Sequence, residues 1–191
     1  MNKNYFLGLI LFSILFVSAC TAPQPAGQVA AGQGGQQVNT VQQGVSPGIN
    51  RGQVPPDFTI KTVDGKEFTL SQLNAQDKPV LLYFWASWCP FCKRDFAAVE
   101  GVYPKFADQV IFLAIDLDTT EGANIIKQYR DSRGLQAINF APGNGKVLSD
   151  FQVTSTTTKY AIGKDGVILY KGSGAFNEQQ WETLFNALAA N

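Results

Sequence analysis

The sequence predicts a mixed α/β fold in which helices flank a central sheet, preceded by an N-terminal β-hairpin extension. Residues 80–86 are apolar throughout, which is typical of a strand buried on both faces. Apolar side chains then recur at helical spacing over residues 90–107, and a second apolar run follows at residues 110–115. Parallel strands joined by right-handed helical crossovers, with an antiparallel hairpin at residues 159–171, form a mixed sheet.

Turn and capping residues predict the elements around this core. Phe58 and Ile60 are two residues apart and would face the same side of one strand, as would Phe68 and Leu70 in a second strand. Asp64-Gly65 lies between the two pairs, so we expect a β-hairpin. The other expected elements are a short helix at 71–73 capped by Ser71, a helix containing Ile125, Ile126 and Tyr129, a short strand at 137–140, a short helix at 147–151, a turn at 164–166 and a last helix capped by Asn177.

The composition excludes several classes of function. The chain has 15 Lys and Arg residues against 15 Asp and Glu residues, so there is no electrostatic basis for binding nucleic acid. It has no histidine, which excludes Cys-His proteases, Ser-His triads and His-ligated metal sites. The chemistry of the chain therefore rests on its cysteines, which are Cys20, Cys89 and Cys92.

The first cysteine belongs to an export signal. Residues 1–19 have a lysine-bearing start, a hydrophobic stretch of signal-peptide length and small residues before Cys20. The sequence Val17-Ser18-Ala19-Cys20 resembles the lipobox of bacterial lipoproteins, which implies cleavage before Cys20 and lipidation of that cysteine. The alternative is an ordinary secretory signal cut after Ala19 or Ala22. Either signal exports the domain to a compartment where disulfides persist.

A tether is expected between the signal and the domain. Residues 20–52 are rich in Gln, Gly, Ala, Pro and Val, lack aromatic residues and have almost no charge. Such a segment buries too little surface to offset chain entropy, so we expect it to be disordered. The predicted organisation is thus a signal peptide at 1–19, a lipidated cysteine and tether at 20–52, and a folded domain at 53–191.

The other two cysteines form a reactive pair at the junction of a strand and a helix. Cys89 follows the buried strand, and Pro90 suits the first turn of a helix. The free N–H groups and the dipole at a helix start favour a thiolate over a thiol, so we expect Cys89 to be ionised and exposed. Cys92 lies one helical turn later and can attack a mixed disulfide formed at Cys89.

Several motifs match one known family. They are Pro56-Asp57-Phe58, Asp64-Gly65-Lys66, Leu70-Ser71-Gln72-Leu73, Phe84-Trp85-Ala86-Ser87-Trp88-Cys89-Pro90-Phe91-Cys92 and Gly163-Lys164-Asp165-Gly166. With these motifs the chain resembles the TlpA/ResA-type group of exported, membrane-tethered thiol-disulfide oxidoreductases, which have a thioredoxin-like fold. The resemblance covers residues 55–191.

The resemblance implies an activity, a site and partners. Cys89 would be the nucleophile and Cys92 the resolving thiol, with the cysteine pair as redox centre and no bound cofactor. The partners would be protein thiol or disulfide clients, of which cytochrome c apoprotein is one candidate, and a membrane dithiol carrier that supplies electrons. The protein would reduce or reshuffle disulfides outside the cytoplasm, anchored to the membrane through the lipid on Cys20.

Two further positions involve the family's acidic groups. Asp95 occupies the place where family members often have a glutamate, three residues after the second cysteine. It could tune the thiols or relay protons, or it could be a solvated acid in the first turn of the helix. Thioredoxin has a buried aspartate six residues before the nucleophile, and here that position is Tyr83, so no carboxylate is expected there.

The loop expected to face the cysteines also departs from the family. Thr156-Thr157-Thr158 stands where most thioredoxin folds have a cis-proline, with Thr157 at the proline position. A cis peptide bond before a non-proline residue costs about 2.5–4 kcal/mol, so we expect a trans bond. Without the proline, the site could hold mixed disulfides longer or admit a metal.

The residues between and before the cysteines are expected to support the site. Pro90 and Phe91 set the redox poise, and because Phe91 provides neither a charge nor a hydrogen-bond donor, we expect a more reducing couple than in strong oxidants. Trp85 and Trp88 are expected to pack beside the site, and Trp88 could also shield the thiol and contact substrate.

Four alternatives remain open from the sequence. The cysteines could form an inert structural disulfide, although so small a loop adds little stability. A metal centre would need a second chain to complete the ligands, since one chain offers two cysteines at the site. The domain could also be a binding module without turnover, or a peroxidase-like enzyme, although the site lacks a Thr-x-x-Cys motif.

Overall fold

The structure is a computed structural model that describes residues 45–191. The predicted signal peptide, Cys20 and most of the predicted tether lie outside the described residues. The strands are β1 (Thr59–Lys61), β2 (Glu67–Thr69), β3 (Val80–Trp85), β4 (Ile111–Asp116), β5 (Asn139–Ala141), β6 (Thr158–Ile162) and β7 (Ile168–Gly172). The α-helices are α1 (Leu70–Asn74), α2 (Pro90–Glu100), α3 (Ala123–Asp131), α4 (Gly145–Asp150) and α5 (Glu178–Ala190).

The central sheet is mixed, as the sequence predicts. Its strand order is β5-β4-β3-β6-β7. The strands β3, β4 and β5 run parallel, whereas β6 is antiparallel to both β3 and β7. Every residue of β3 is buried, because this central strand is covered on both faces. Alternate residues of β3 enter two hydrophobic clusters, with Tyr83 and Trp85 in one and Leu82 and Phe84 in the other.

The N-terminal hairpin is confirmed and is joined to the rest of the domain by an ion pair. The strands β1 and β2 pair antiparallel, with Ile60 opposite Phe68. Gly65 in the connecting turn has a φ of 82°, which glycine adopts without strain. The Asp64 carboxylate accepts two hydrogen bonds from the Arg130 guanidinium at the end of α3. This bidentate pair fixes the hairpin against α3.

Two helices differ from the prediction. The helix predicted over residues 90–107 ends at Glu100, because Gly101 follows and a separate 3₁₀ turn with Pro104 continues at Tyr103–Lys105. Proline has no backbone N–H and cannot continue an α-helical ladder. Ser71 lies inside α1 and does not cap it, since its N–H and hydroxyl both donate to the Asp57 carboxylate.

The last helix begins as predicted. The Asn177 side chain accepts a hydrogen bond from the Gln180 N–H at 2.9 Å, and the Gln180 side chain accepts one from the Asn177 N–H at 2.9 Å. This reciprocal capping box satisfies two donors at the start of α5.

Ordered structure begins before residue 53, where the predicted domain starts. The Gly52 N–H donates to the Ile168 carbonyl at 2.8 Å, and the Ile168 N–H donates to the Gln53 carbonyl at 2.9 Å. Residues 45–52, which the prediction assigned to the tether, therefore include a segment bonded to the edge of β7. None of the helices between residues 45 and 191 has the length and apolar character needed to cross a bilayer.

Candidate active site

The cysteine pair lies where the central strand gives way to a helix. β3 ends at Trp85, and α2 begins at Pro90 with Cys89 as its N-cap. The Cys89 sulfur accepts a hydrogen bond from the Cys92 N–H, with Sγ and N 3.1 Å apart. Cys89 and Cys92 form a disulfide, and their Cα atoms are 5.3 Å apart. A sulfur at this position receives the N–H groups of the first helical turn, which stabilise negative charge there.

Exposure around the pair differs from the prediction. Cys89 is 1% exposed in the disulfide form, so the expectation of an exposed sulfur is wrong for this state. Trp88 is 58% exposed and Phe91 52% exposed, so both aromatic side chains lie at the surface beside the cysteines. Trp85 does pack in the core, because it ends the buried strand β3. The cysteines are thus flanked by two aromatic side chains that face solvent.

The loop at residues 156–158, which we call the threonine loop, contacts the cysteines through Thr156. Its Oγ1 lies 3.3 Å from the Cys89 Sγ. Thr157 has a φ of 65°, in the left-handed region that a β-branched residue rarely adopts. Its hydroxyl oxygen accepts a hydrogen bond from the Gly174 N–H at 2.9 Å. Such a conformation costs about 1–3 kcal/mol and persists where the surrounding structure holds it.

Asp95 is fully buried on α2, one helical turn after Cys92, so a solvated role is wrong for this residue. Its Oδ2 accepts a hydrogen bond from the Tyr83 hydroxyl at 2.8 Å and lies 3.0 Å from the Lys159 ammonium. Its Oδ1 accepts a hydrogen bond from the Phe176 N–H. The site therefore contains a buried carboxylate after all, supplied by the helix instead of by the strand.

The partner of Asp95 was not predicted from the sequence. Lys159 is completely buried on β6. The available signal was a lysine that directly precedes the apolar run Tyr160-Ala161-Ile162 in the first strand of the expected hairpin. Burial lowers the pKa of Lys159, and the neighbouring Asp95 carboxylate opposes that shift. Burial, and then the Asp95 charge, raise the pKa of Tyr83 far above its ordinary value, so this phenol stays protonated.

A cluster of acidic side chains approaches the site from the end of β4 and the loop that follows it. The Glu121 carboxylate accepts a hydrogen bond from the Ser87 hydroxyl, and Asp118 Oδ2 accepts one from the Trp88 indole N–H at 3.1 Å. Asp116 is fully buried at the end of β4. Burial, and next the neighbouring Glu121, raise the pKa of Asp116 to about 8. The sequence predicts a polar loop at 116–120 but does not predict its contacts with the residues before Cys89.

A groove of about 710 Å³ opens beside the threonine loop. Phe91 and Arg94 of α2 form one side, and the Arg94 guanidinium lies over the Phe91 ring at 4.6 Å from its centroid. The other lining residues are Ser155, Thr156, Thr157, Ser173, Gly174, Ala175, Phe176, Asn177 and Gln180. The walls therefore combine hydroxyl groups, an aromatic ring and one positive charge. Within residues 45–191 no cluster of three or more His, Cys, Asp or Glu side chains could hold a metal ion.

The fold and the cysteine pair define the chain as a thioredoxin-like thiol-disulfide oxidoreductase. The chain belongs to the AhpC/TSA family, whose model matches residues 52–171. Enzymes of this type exchange electrons through their cysteine pair and need no bound cofactor.

Named relatives and solved structures agree with this class. The chain is 30% identical to the thioredoxin-like protein YneN of Bacillus subtilis, over 71% of this chain and 78% of that protein. It is 32% identical to the thiol-disulfide oxidoreductase ResA of Bacillus cereus, over 69% of this chain and 74% of that protein. These relatives confirm the resemblance to the ResA-type group.

Among solved structures, a putative protein disulfide isomerase from Bacteroides thetaiotaomicron is 27% identical, with a TM-score of 0.63. The match covers 75% of this chain and 92% of that one. This likeness confirms the thioredoxin-like fold with its mixed sheet and flanking helices.

Proposed function

We propose that Cys89 is the attacking nucleophile and Cys92 the resolving thiol of a membrane-tethered oxidoreductase that acts on protein disulfides outside the cytoplasm. The observation that supports this proposal most directly is the position of Cys89 at the N-cap of α2, where its sulfur accepts the Cys92 N–H at 3.1 Å. That geometry stabilises a thiolate on Cys89 more than on Cys92, which lies inside the helix.

In the proposed reaction, the Cys89 thiolate attacks one sulfur of a client disulfide. A new bond forms between Cys89 and that sulfur, and the other client sulfur leaves as a thiolate that takes up a proton. Cys92 then loses its proton and attacks the Cys89 sulfur, which breaks the mixed disulfide and releases the second client thiol. The client gains two electrons, and the protein is left with the Cys89–Cys92 disulfide seen in the structure.

The surroundings of Cys89 support a protein client. Trp88 and Phe91 are more than half exposed on either side of the buried sulfur, and exposed aromatic side chains are common at protein interfaces. The groove beside Thr156 is large enough to receive an extended segment of a client. By family resemblance, cytochrome c apoprotein is one candidate client, and a membrane dithiol carrier would reduce the Cys89–Cys92 disulfide again.

Reduction of insulin by dithiothreitol tests the enzymatic part of the proposal. We expect the full chain to accelerate insulin precipitation, and we expect Cys89→Ser to abolish that acceleration. Cys92→Ser should accumulate a mixed disulfide on Cys89, because resolution is lost. A binding module would give no acceleration, and a peroxidase-like enzyme would instead consume hydrogen peroxide with dithiothreitol. Either result would contradict the proposed activity.

Cys20 provides the matched control and tests the anchor. Cys20→Ser should leave insulin reduction unchanged, since Cys20 is not part of the proposed redox pair. In cells, the wild-type chain should incorporate a labelled fatty acid and fractionate with membranes, and Cys20→Ser should do neither. If the wild-type protein were released from the cells without the fatty-acid label, an ordinary secretory signal would be supported and the anchor would be contradicted.

A further inference from the structure

Lys159 makes three hydrogen bonds from a position with no exposed surface. Its Nζ lies 3.0 Å from Asp95 Oδ2, 3.1 Å from the Thr157 carbonyl oxygen and 2.7 Å from the Gly174 carbonyl oxygen. An ammonium group has three donor protons and no acceptor, so these partners use its full capacity. The side chain is therefore held in one position.

Burial of this charge has an energetic cost that the site has to offset. Removing an ammonium from water costs several kcal/mol even after relaxation. The Asp95 carboxylate neutralises the charge, and the rings of Tyr83, Phe176 and Trp181 lie with their centroids 4.9, 4.5 and 5.0 Å from Nζ. A leucine or methionine would fill this space at lower cost, so the ammonium calls for an explanation beyond packing.

The acceptors of Lys159 come from the three segments that surround the cysteines. Asp95 lies on α2, one turn after Cys92. Thr157 follows Thr156, whose hydroxyl contacts the Cys89 sulfur. Gly174 belongs to the connection between β7 and α5 and lines the groove together with both threonines. One ammonium thus joins α2, the threonine loop and the far wall of the groove.

Lys159 also holds the unusual backbone of the threonine loop. Thr157 adopts a φ of 65°, and its carbonyl and its hydroxyl oxygen are both bonded, one by Lys159 and the other by the Gly174 N–H. Proline, which most thioredoxin folds have at this position, would fix the loop through its ring. In this chain the same loop is fixed by hydrogen bonds that converge from Lys159 and Gly174.

We propose that Lys159 is a positioning residue for thiol–disulfide exchange, which holds the threonine loop against Cys89 and pairs the Asp95 carboxylate one turn from Cys92. This inference rests on the proposed roles of the two cysteines. Lys159 does not contact either sulfur in the structure, and it acts through Thr157, Gly174 and Asp95.

The charge of Lys159 has a consequence for the resolving step. The titratable groups that face its ammonium are Asp95 from α2 and Tyr83 from β3, whereas the β7–α5 connection and α5 contribute a carbonyl and aromatic rings. The pair of Lys159 and Asp95 has no net charge. Without the ammonium, the carboxylate would oppose ionisation of the neighbouring Cys92, and resolution would need a higher pH.

The test compares two variants of the full chain. Lys159→Met removes the ammonium at nearly constant volume and leaves Asp95 unpaired. The double variant Asp95→Asn/Lys159→Met removes both charges, which avoids an uncompensated buried charge and protects folding. Thermal unfolding of both variants checks that the domain is intact. The readouts are the pH midpoint of mixed-disulfide breakdown on Cys89 and the KM for an oxidised client peptide.

We expect breakdown at pH 7 to slow by at least tenfold in Lys159→Met, with its midpoint at least one pH unit higher. In the double variant the midpoint should return towards the wild-type value, while the KM stays at least threefold raised because the threonine loop is no longer held. The inference would be overturned if Lys159→Met kept the wild-type pH midpoint, or if the double variant kept the wild-type KM. If the wild-type chain itself did not accelerate insulin reduction, the proposed function would be overturned instead.

Discussion

The Tyr83 hydroxyl donates a 2.8 Å hydrogen bond to Asp95 Oδ2, so the strand position that has an aspartate in thioredoxin here supports a carboxylate from α2. Lys159 approaches the same oxygen from β6 at 3.0 Å. A phenol, an ammonium and a carboxylate therefore meet in the core behind the cysteine pair. All three side chains are fully buried, and their hydrogen bonds offset the cost of removing them from water.

The hydrogen bond of Tyr83 should contribute measurably to stability. Tyr83→Phe removes one donor from the Asp95 carboxylate and keeps the ring that packs against Phe96, Phe112 and Trp181. A hydrogen bond to a charged group contributes about 1.5–3 kcal/mol, so we expect the free energy of unfolding in urea to fall by that amount. Tyr170→Phe is the matched control, because Tyr170 lies on the edge strand β7 and is only partly buried.

The control should lose less than about 0.5 kcal/mol. Equal losses in both variants would show that the phenol of Tyr83 does not stabilise the carboxylate.

Asp116 should make the protein less stable as the pH rises. Its pKa is raised to about 8 by burial and then by Glu121, so between about pH 4 and pH 8 the folded state holds a proton that the unfolded state has lost. The stabilising effect of this proton is complete below pH 4 and is lost as the pH approaches 8. Asp116→Asn should flatten this slope, which is at most about 1.4 kcal/mol per pH unit for one proton.

Melting temperatures between pH 4 and pH 9 check this expectation, with the variant gaining most at the alkaline end. Asp118→Asn is the control, because the pKa of Asp118 is lowered, chiefly by Thr120, and its side chain is only partly buried. An unchanged slope in Asp116→Asn would contradict the assignment.

Phe91 should influence the redox potential of the cysteine pair. Phe91→His places a group that can become positive in the first turn of α2, where it would stabilise the thiolates of the reduced form. We expect the reduction potential to rise by at least about 30 mV, which corresponds to about 1.4 kcal/mol for this two-electron couple. The potential is measured by equilibration with glutathione at pH 7.

Phe91→Leu is the matched control, since it removes the ring and the contact with Arg94 without adding a charge. If the reduction potential rose equally in both variants, the effect would come from altered packing and not from the added charge.

Restoring proline at position 157 should destabilise the protein. The φ of Thr157 is 65°, and a proline ring fixes φ near −65°, so the loop would have to rearrange. We expect Thr157→Pro to lower the free energy of unfolding by more than about 1 kcal/mol. Thr157→Asn is the control, because asparagine tolerates left-handed backbone and keeps an oxygen for the Gly174 N–H.

The asparagine variant should stay within about 0.5 kcal/mol of the wild type. A proline variant with wild-type stability would show that the loop accepts the family conformation without cost. The half-life of its mixed disulfide would then test directly whether the absence of proline prolongs that intermediate.

Local patterns were sufficient to predict the elements that hold the cysteines. The continuous apolar run predicted β3, the Cys89-Pro90 junction predicted the start of α2, and Asn177 predicted the start of α5. Each of these features depends on residues that are close in sequence. The class of enzyme followed from a motif of the same kind.

Contacts between distant segments could not be predicted in this way. Lys159 and Asp95 are 64 positions apart, and only the pairing of β6 with β3 places the lysine behind α2. The same long-range packing buries Cys89. It also brings Thr156, 67 positions away, to the Cys89 sulfur, a placement that the family resemblance predicted and local patterns did not. The positions of these side chains depend on tertiary structure, for which periodicity and capping residues contain no signal.

The pH dependence of Cys89 alkylation in the reduced protein tests the nucleophilic role most directly. Iodoacetamide is added to the full chain with Cys20→Ser, and modification of Cys89 and Cys92 is followed separately by mass spectrometry. We expect Cys89 to react first, with a midpoint clearly below the ordinary thiol pKa of about 8.5 and faster than in an unfolded peptide of the same sequence. A Cys89 that reacts no faster than in that peptide would contradict its role as the nucleophile.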